Sequence, residues 1–137
     1  MSTRSVAAIQ RDLRLKYQNI DATGIGDAGG LRGSVVPGSY FLALMTATGE
    51  ADYGDYARQP IARSVAGFVL TDVVMSNINS VFFPKATSGN NVITRLALFT
   101  AVTAGTQDHI QTQPNPITVT TNVTPYIEAG TLTITGS

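Results

Sequence analysis

The residue types that most often carry out catalysis are few in this chain of 137 residues, and they stand far apart. The one histidine, His109, follows Asp108, and both would have to converge on a serine to build a nucleophilic triad. No G-x-S-x-G turn marks such a serine. The two glutamates, Glu50 and Glu128, are too far apart in sequence to nominate as the paired carboxylates of a glycosidase. We therefore predict no catalytic residues and no enzyme activity.

Two further patterns could hold an ion or a nucleotide, but each lacks the context that such a site needs. The three carboxylates within residues 50–55 could offer oxygen ligands to calcium, although they do not follow EF-hand spacing. Residues 24–29 read G-x-G-x-x-G, a pattern that binds dinucleotides only between a strand and a helix. Here a helical pattern precedes the glycines and a segment rich in structure breakers follows them. With no cysteine to bind zinc or iron, we expect neither a metal nor a cofactor.

One turn-rich segment carries residue types that are typical of interfaces. Tyr53, Tyr56 and Arg58 lie around Gly54, and tyrosine and arginine are enriched among residues that dominate binding energy. Two interpretations are open for them. They could bind a partner, or Tyr56 could pack at the end of a β-sandwich while Arg58 pairs with a nearby acidic residue.

The composition favours a folded protein with an uncharged surface. Hydrophobic residues make up 43% of the chain and charged residues 13%, about half the usual charged share. Disordered chains show the opposite balance, so part of this surface is predicted to be neutral or covered by a partner. Nine Lys and Arg residues balance nine Asp and Glu residues, which argues against a general nucleic-acid binder. No apolar run reaches the roughly 18 residues of a membrane span, and the charged N-terminus does not resemble a signal peptide.

The elements that must position these residues fall into three predicted segments: a helical arm over residues 1–20, a glycine-rich linker over 21–38 and a β body over 39–137. Ser2 or Thr3 could cap the helix. Four apolar residues of the arm recur at spacings of three and four along one helix face. These residues are Val6, Ile9, Leu13 and Tyr17.

The arm and the body carry opposite net charges. Residues 1–20 hold four positive and one negative side chain, a net +3, whereas residues 21–137 hold five positive and eight negative side chains, a net −3. Two interpretations of the helix are open. Its apolar face could pack on its own domain, or it could dock on a neighbouring subunit, with Arg11 and Arg14 pairing with acidic groups there.

The body shows β-strand patterns at intervals of about 8–12 residues, with turn-forming residues between them. A polar loop is predicted over residues 105–116, which include Pro114 and Pro116. No helical pattern alternates with the strands, so the fold class is all-β, a jelly-roll or β-sandwich body with an N-terminal helical arm. The clearest predicted strands span residues 40–45, 77–83, 92–102, 117–123 and 131–135.

Four stretches of the body resemble a family of small structural proteins of tailed bacteriophages, whose members are often labelled tail-fibre proteins. Some of these proteins are similar to the cement or decoration proteins of short-tailed phage capsids, which are jelly-rolls with an added terminal arm. The order and spacing of the stretches carry the resemblance. They are residues 38–44 (GSYFLAL), 56–61 (YARQPI), 75–87 (MSNINSVFFPKAT) and 127–134 (IEAGTLTI).

The resemblance implies a capsid cement protein, synthesised in a bacterial cytoplasm and carried on the outer capsid surface of the virion. Its expected partners are the major capsid protein and sister copies in a dimer or trimer, with no nucleic acid, membrane or small-molecule substrate. The alternative is a tail-fibre or baseplate component that binds a receptor glycan, for which Tyr53 and Tyr56 are the loop aromatic residues. Either protein would work through the surfaces that it presents.

Overall fold

The computed structural model describes residues 3–137 and consists of an all-β body with one N-terminal helix, as predicted. The regular elements are helix α1 (Val6–Gln18) and strands β1 (Ser39–Met45), β2 (Gln59–Ala62), β3 (Phe68–Thr71), β4 (Val74–Asn77), β5 (Val81–Phe82), β6 (Asn90–Phe99), β7 (Gln107–Thr120), β8 (Tyr126–Ile127) and β9 (Thr133–Thr135). No helix within residues 3–137 is long and apolar enough to cross a bilayer.

Helix α1 begins one turn later than the sequence pattern suggests. Its N-cap is Ser5, whose hydroxyl accepts a hydrogen bond of 3.1 Å from the backbone N–H of Ala8. The prediction of Thr3 as the cap is therefore wrong, because Ser5 stands directly before the first helical residue; Ser2 lies outside the described residues. The helix ends at Asn19, which adopts a left-handed conformation with φ of 57°.

Nine strands form three antiparallel sheets in the described part of the chain. The largest has the order β2-β1-β6-β7, the second has the order β3-β4-β9, and β5 pairs with β8. Strand β1 shows how the sheets enclose a core. Leu42 and Leu44 pair with Leu98 and Leu96 of β6, and all four side chains are fully buried in the main cluster. That cluster also draws residues from the other two sheets and from the helix.

Strand β7 contradicts the predicted loop over residues 105–116. It pairs only with β6, so it is an edge strand. The backbone N–H groups on its open side have no strand partner, so a proline there removes no hydrogen bond from the sheet. Between the pairs Ile93–Ile117 and Arg95–Thr112 the register shifts, and Pro114 falls in that irregularity. The loop prediction was wrong because Pro114 and Pro116, which are typical of turns, lie within strand β7.

Residues 21–38, predicted as a glycine-rich linker, form a loop of turns between α1 and β1. Ala22 and Leu31 exchange two backbone hydrogen bonds of 2.7 and 3.0 Å. Gly24 and Gly26 turn the chain with φ of +83° and +79°, conformations that side-chain-bearing residues rarely adopt. The segment therefore connects α1 and β1 through a closed loop.

Candidate functional site

The apolar stripe of α1 is largely inside the molecule. Ile9, Leu13 and Tyr17 are buried in the main core, whereas Val6 is 52% exposed. Of the two interpretations of the helix, the structure shows packing on its own domain. In this fold the three buried side chains cannot also lie against a partner, so a docking role is left to the outer face.

Polar contacts fix the C-terminal end of the helix to the body. Arg63 donates hydrogen bonds of 2.7 Å to the carbonyl oxygens of Leu15 and Lys16, and the hydroxyl of Tyr40 donates one of 3.1 Å to Lys16. A helix C-terminus leaves its last carbonyl groups without helical partners, and a cation there also complements the helix dipole. These contacts hold α1 on the strands beneath it.

A second contact joins the helix to β7. The hydroxyl of Tyr17 donates a 2.6 Å hydrogen bond to Asp108, and the Lys16 ammonium lies 2.7 Å from the same carboxylate. Burial raises the pKa of Tyr17, and the hydrogen bond to Asp108 raises it further. Burial likewise raises the pKa of Tyr40 to about 12. Asp108 is thus a structural anchor for the helix.

Arg11 and Arg14 lie on the outer part of the helix. The side chain of Arg11 is 42% exposed, and its Nε lies 3.6 Å from a carboxylate oxygen of the adjacent Asp12. Arg14 is exposed and makes no ion pair within residues 3–137. Their predicted pairing with acidic groups of a partner stays a prediction.

Tyr56 and Arg58 meet Glu50 in a cluster of complementary polar groups. Arg58 donates two hydrogen bonds of 2.9 Å to the two carboxylate oxygens of Glu50, a bidentate arrangement. The Tyr56 hydroxyl donates a 2.6 Å hydrogen bond to the same carboxylate and accepts one of 3.1 Å from the Leu44 N–H. The Arg58 guanidinium also lies over the Phe99 ring, 3.7 Å from its centroid.

Arg58 further connects this cluster to the loop between β6 and β7. Its Nη1 donates hydrogen bonds of 2.9 and 2.7 Å to the carbonyl oxygens of Ala101 and Ala104. The Arg58 side chain is only 9% exposed, and that of Glu50 is 28% exposed. The structure therefore shows the packing interpretation for Arg58, which holds two loops together.

Electrostatics within the cluster follow from this geometry. Burial alone would raise the pKa of Glu50, but hydrogen bonds from Arg58 and Tyr56 outweigh burial and hold that pKa below its ordinary value. The hydrogen bond to Glu50 raises the pKa of Arg58. Burial raises the pKa of Tyr56, and its hydrogen bond to Glu50 adds to the increase. All three groups are stabilised in the protonation states in which they pair.

Tyr53 also points inward. It is 2% exposed, its ring packs edge-on against Tyr56 with centroids 5.4 Å apart, and its hydroxyl donates a 2.9 Å hydrogen bond to the Pro84 carbonyl. Burial raises its pKa to about 12. The buried Tyr53 ring offers no open face on which a sugar could stack, and the Tyr56 ring stacks on Phe83 with centroids 6.4 Å apart.

The carboxylates of residues 50–55 are spread over different contacts. Glu50 pairs with Arg58, whereas Asp52 accepts a 2.9 Å hydrogen bond from the Asn91 amide. Within residues 3–137, no group of three or more His, Asp or Glu residues is arranged to hold a metal ion. This loop is built on side-chain and backbone contacts with the β6 strand.

The remaining two sequence candidates lie in separate parts of the fold. The glycines of residues 24–29 belong to the ordered loop after α1, where Asp27 accepts a 2.8 Å hydrogen bond from the Gly30 N–H. His109 lies on β7 opposite Leu98, and its buried Nε2 has no hydrogen-bond partner among the described residues. Neither belongs to the cluster of Glu50, Tyr56 and Arg58.

Exposed apolar side chains mark two surfaces that the sequence analysis did not single out. Val35 and Val36 project from the loop before β1, with Val36 78% exposed and Val35 fully exposed. Phe82 and Tyr126 stack on each other across β5 and β8, and they are 63% and 47% exposed. The alternation over residues 77–83 did predict that Phe82 and Phe83 face opposite ways. It could not place Tyr126 beside Phe82.

Comparison with protein families identifies a match over most of the β body. A protein-family model described as podophage GP4 fiber I protein gp80 matches residues 31–135, well over half of the chain. A search of curated proteins finds no match.

Proposed function

The chain belongs to the family described as podophage GP4 fiber I protein gp80, and on that basis we propose that it is a non-enzymatic structural protein of a phage particle. The family match over residues 31–135 is the observation that carries this proposal. It covers nearly all of the β body and excludes helix α1.

The internal contacts of the polar residues support a structural role. Glu50 is held by Arg58 and Tyr56, and Asp108 is held by Tyr17 and Lys16. A general acid or base must be free to exchange a proton with a substrate. The carboxylates of Glu50 and Asp108 are instead held by hydrogen bonds and ion pairs with other side chains of the same chain.

Within the particle, we propose a position in a fibre, because the family description names one. A capsid cement protein on the outer capsid surface, bound to the major capsid protein and to sister copies, is the second candidate. It is supported by the resemblance of four stretches of the body to a family of small phage structural proteins, some of which are similar to capsid cement proteins. Both functions need a rigid body with surfaces that contact neighbouring subunits.

The exposed loop before β1 and the outer face of α1 are the contact surfaces that we propose. Val35 and Val36 expose apolar area that a neighbouring protein would bury at roughly 25 cal/mol per Å². Arg11 and Arg14 offer cations on helix α1. Acidic groups on the partner would complement these arginines, as buried or partly buried ion pairs help to fix orientation.

Copy number in purified particles separates the two candidates. Quantitative mass spectrometry of virions, with the major capsid protein as the internal standard, would give hundreds of copies for a capsid cement and a handful for a fibre. Absence of the chain from particles would contradict both candidates.

The contact surfaces can be tested without disturbing the core. Val35→Ser with Val36→Ser, and separately Arg11→Gln with Arg14→Gln, should lower the occupancy of particles in which the variant replaces the native chain. Val69→Ser, at another exposed valine, is the matched control. Deletion of the whole helix is a poorer test, since it removes Ile9, Leu13 and Tyr17 from the core. Unchanged occupancy for both double variants would overturn these surfaces.

A further inference from the structure

The two shortest strands place an aromatic pair on the outside of the body. In the β5–β8 ribbon, Val81 pairs with Ile127 and Phe82 pairs with Tyr126. Successive side chains on a strand point to opposite faces, so the first pair is buried in the core while the second pair faces out. The Phe82 and Tyr126 rings stack with centroids 5.5 Å apart and an interplanar angle of 25°. Each ring therefore keeps one face that the other ring does not cover.

Tyr126 also borders an open groove between β7 and β8. The groove has a volume of about 540 Å³ and is lined by residues of both chain segments, including Gln113, Asn115, Glu128 and Thr131. Small-molecule sites are concave surfaces of this size range that combine apolar walls with a few polar groups. The apolar walls here come from Ile117, Val123 and Pro125.

The groove also has polar lining residues. Among them are Asn115 and Thr131, whose amide and hydroxyl groups can exchange hydrogen bonds with the hydroxyl groups of a ligand. Glu128 is exposed at the same groove and makes no ion pair within residues 3–137. Its carboxylate is available to accept hydroxyl hydrogen bonds.

We propose that Tyr126 and the adjoining groove form a binding site for a neutral saccharide, with a pyranose ring on the open face of Tyr126. The C–H bonds of a pyranose face carry partial positive charge and suit the negative face of an aromatic ring. The proposal rests on the role of the chain in a phage fibre and names a ligand class and a place for that function.

The charges of the groove decide between neutral and anionic sugars. Its lining contains one carboxylate, Glu128, and no lysine, arginine or histidine. A sialylated or phosphorylated sugar would bring a negative charge towards that carboxylate without a cation to balance it. Uncharged hydroxyl groups can donate hydrogen bonds to the Glu128 carboxylate without electrostatic repulsion. The same lack of cations disfavours a nucleic acid.

Binding is tested with the full chain on a printed array of neutral and anionic oligosaccharides. The strongest neutral oligosaccharide on the array is then titrated by isothermal calorimetry. We expect signals from neutral oligosaccharides and none from their sialylated or phosphorylated counterparts. An array without signals, or with signals from anionic sugars alone, would overturn the proposal.

Substitutions then locate the site. Tyr126→Leu removes the ring but keeps apolar volume, and it should weaken binding about tenfold, the size of one aromatic contact. Tyr126→Phe keeps the ring face and should bind as the native chain does. Glu128→Ala should also weaken binding, while Val69→Ala, at an exposed residue of another sheet, should not. Native affinity in Tyr126→Leu would show that the sugar binds elsewhere.

A second copy of the chain is the competing occupant of the same surface. Sedimentation velocity over a range of concentrations distinguishes it: a dimer that Tyr126→Leu abolishes would overturn the saccharide site. The family-based proposal fails separately, when purified particles lack the chain. A chain that is present in particles but binds no sugar would refute only the site.

Discussion

The Glu50–Tyr56–Arg58 cluster and the Phe82–Tyr126 pair reverse the usual places of polar and apolar residues. The cluster holds an arginine with a side chain only 9% exposed, and its charges are matched by hydrogen bonds. The pair leaves two aromatic rings 63% and 47% exposed. Polar groups are stable in the interior when each has a hydrogen-bond partner, whereas large apolar groups exposed on the surface often mark a binding site.

Residue type alone does not identify a contact surface in this fold. Tyrosine and arginine are frequent at interfaces, yet those of residues 53–58 brace the interior. Phe82 lies in a run of residues that reads as an ordinary strand. Its importance comes from the exposed partner across the ribbon, Tyr126.

The largest effect is expected from breaking the cluster. Arg58→Ala removes both hydrogen bonds to Glu50 and leaves that carboxylate without its cation, so we expect a loss of about 3 kcal/mol in the free energy of unfolding. Urea denaturation would measure it. Arg32→Ala is the matched control, because the Arg32–Asp27 pair is largely exposed and should contribute less than about 1 kcal/mol. Equal losses in both variants would contradict the difference between buried and exposed pairs.

Acid should weaken the cluster in a defined direction. Because the pKa of Glu50 is lowered in the folded state, its stabilising contribution is complete above the unfolded value of about 4.3 and is lost as the pH falls through the lower folded pKa. Glu50→Gln should cost about 2 kcal/mol at pH 7 and less at low pH. Thermal unfolding of both proteins between pH 3 and pH 7 checks this. A constant difference across that range would rule out the ionised carboxylate as the cause.

The smallest effect on stability is expected at the aromatic pair. Phe82→Ser and Tyr126→Ser remove exposed rings, so each should change the free energy of unfolding by less than about 1 kcal/mol. Denaturation under the conditions used for Arg58→Ala provides the measurement. A loss as large as that of Arg58→Ala would mean that the pair belongs to the core rather than to a binding surface.

Much of the fold could be predicted from local patterns. The four-residue spacing of Ile9, Leu13 and Tyr17 defines a helix face in any context, and that face is buried. The apolar run from Tyr40 to Met45 likewise predicts strand β1, buried on both sides. Such patterns depend on the period of the backbone, which the sequence contains.

Other features depend on partners that are distant in sequence. Pro114 reads as a loop residue, and only the edge position of β7 allows it to lie within a strand. Asn77 is 2% exposed, and its amide donates to the carbonyl oxygens of Asn79 and Glu128 while its oxygen accepts from the Leu132 N–H. No local signal marks such a buried asparagine, because two of the three groups that satisfy it, on Glu128 and Leu132, come from a distant segment.

The sequence by itself determined the all-β class, the helical stripe and the low share of charged residues, since each follows from residue type and period along the chain. The tertiary structure decided that the stripe packs on its own body, that Arg58 faces Glu50 and that Phe82 meets Tyr126 in the open. Arg58 and Glu50 are 8 positions apart in the sequence, and Phe82 and Tyr126 are 44 positions apart. Only strand register and sheet packing bring such residues together.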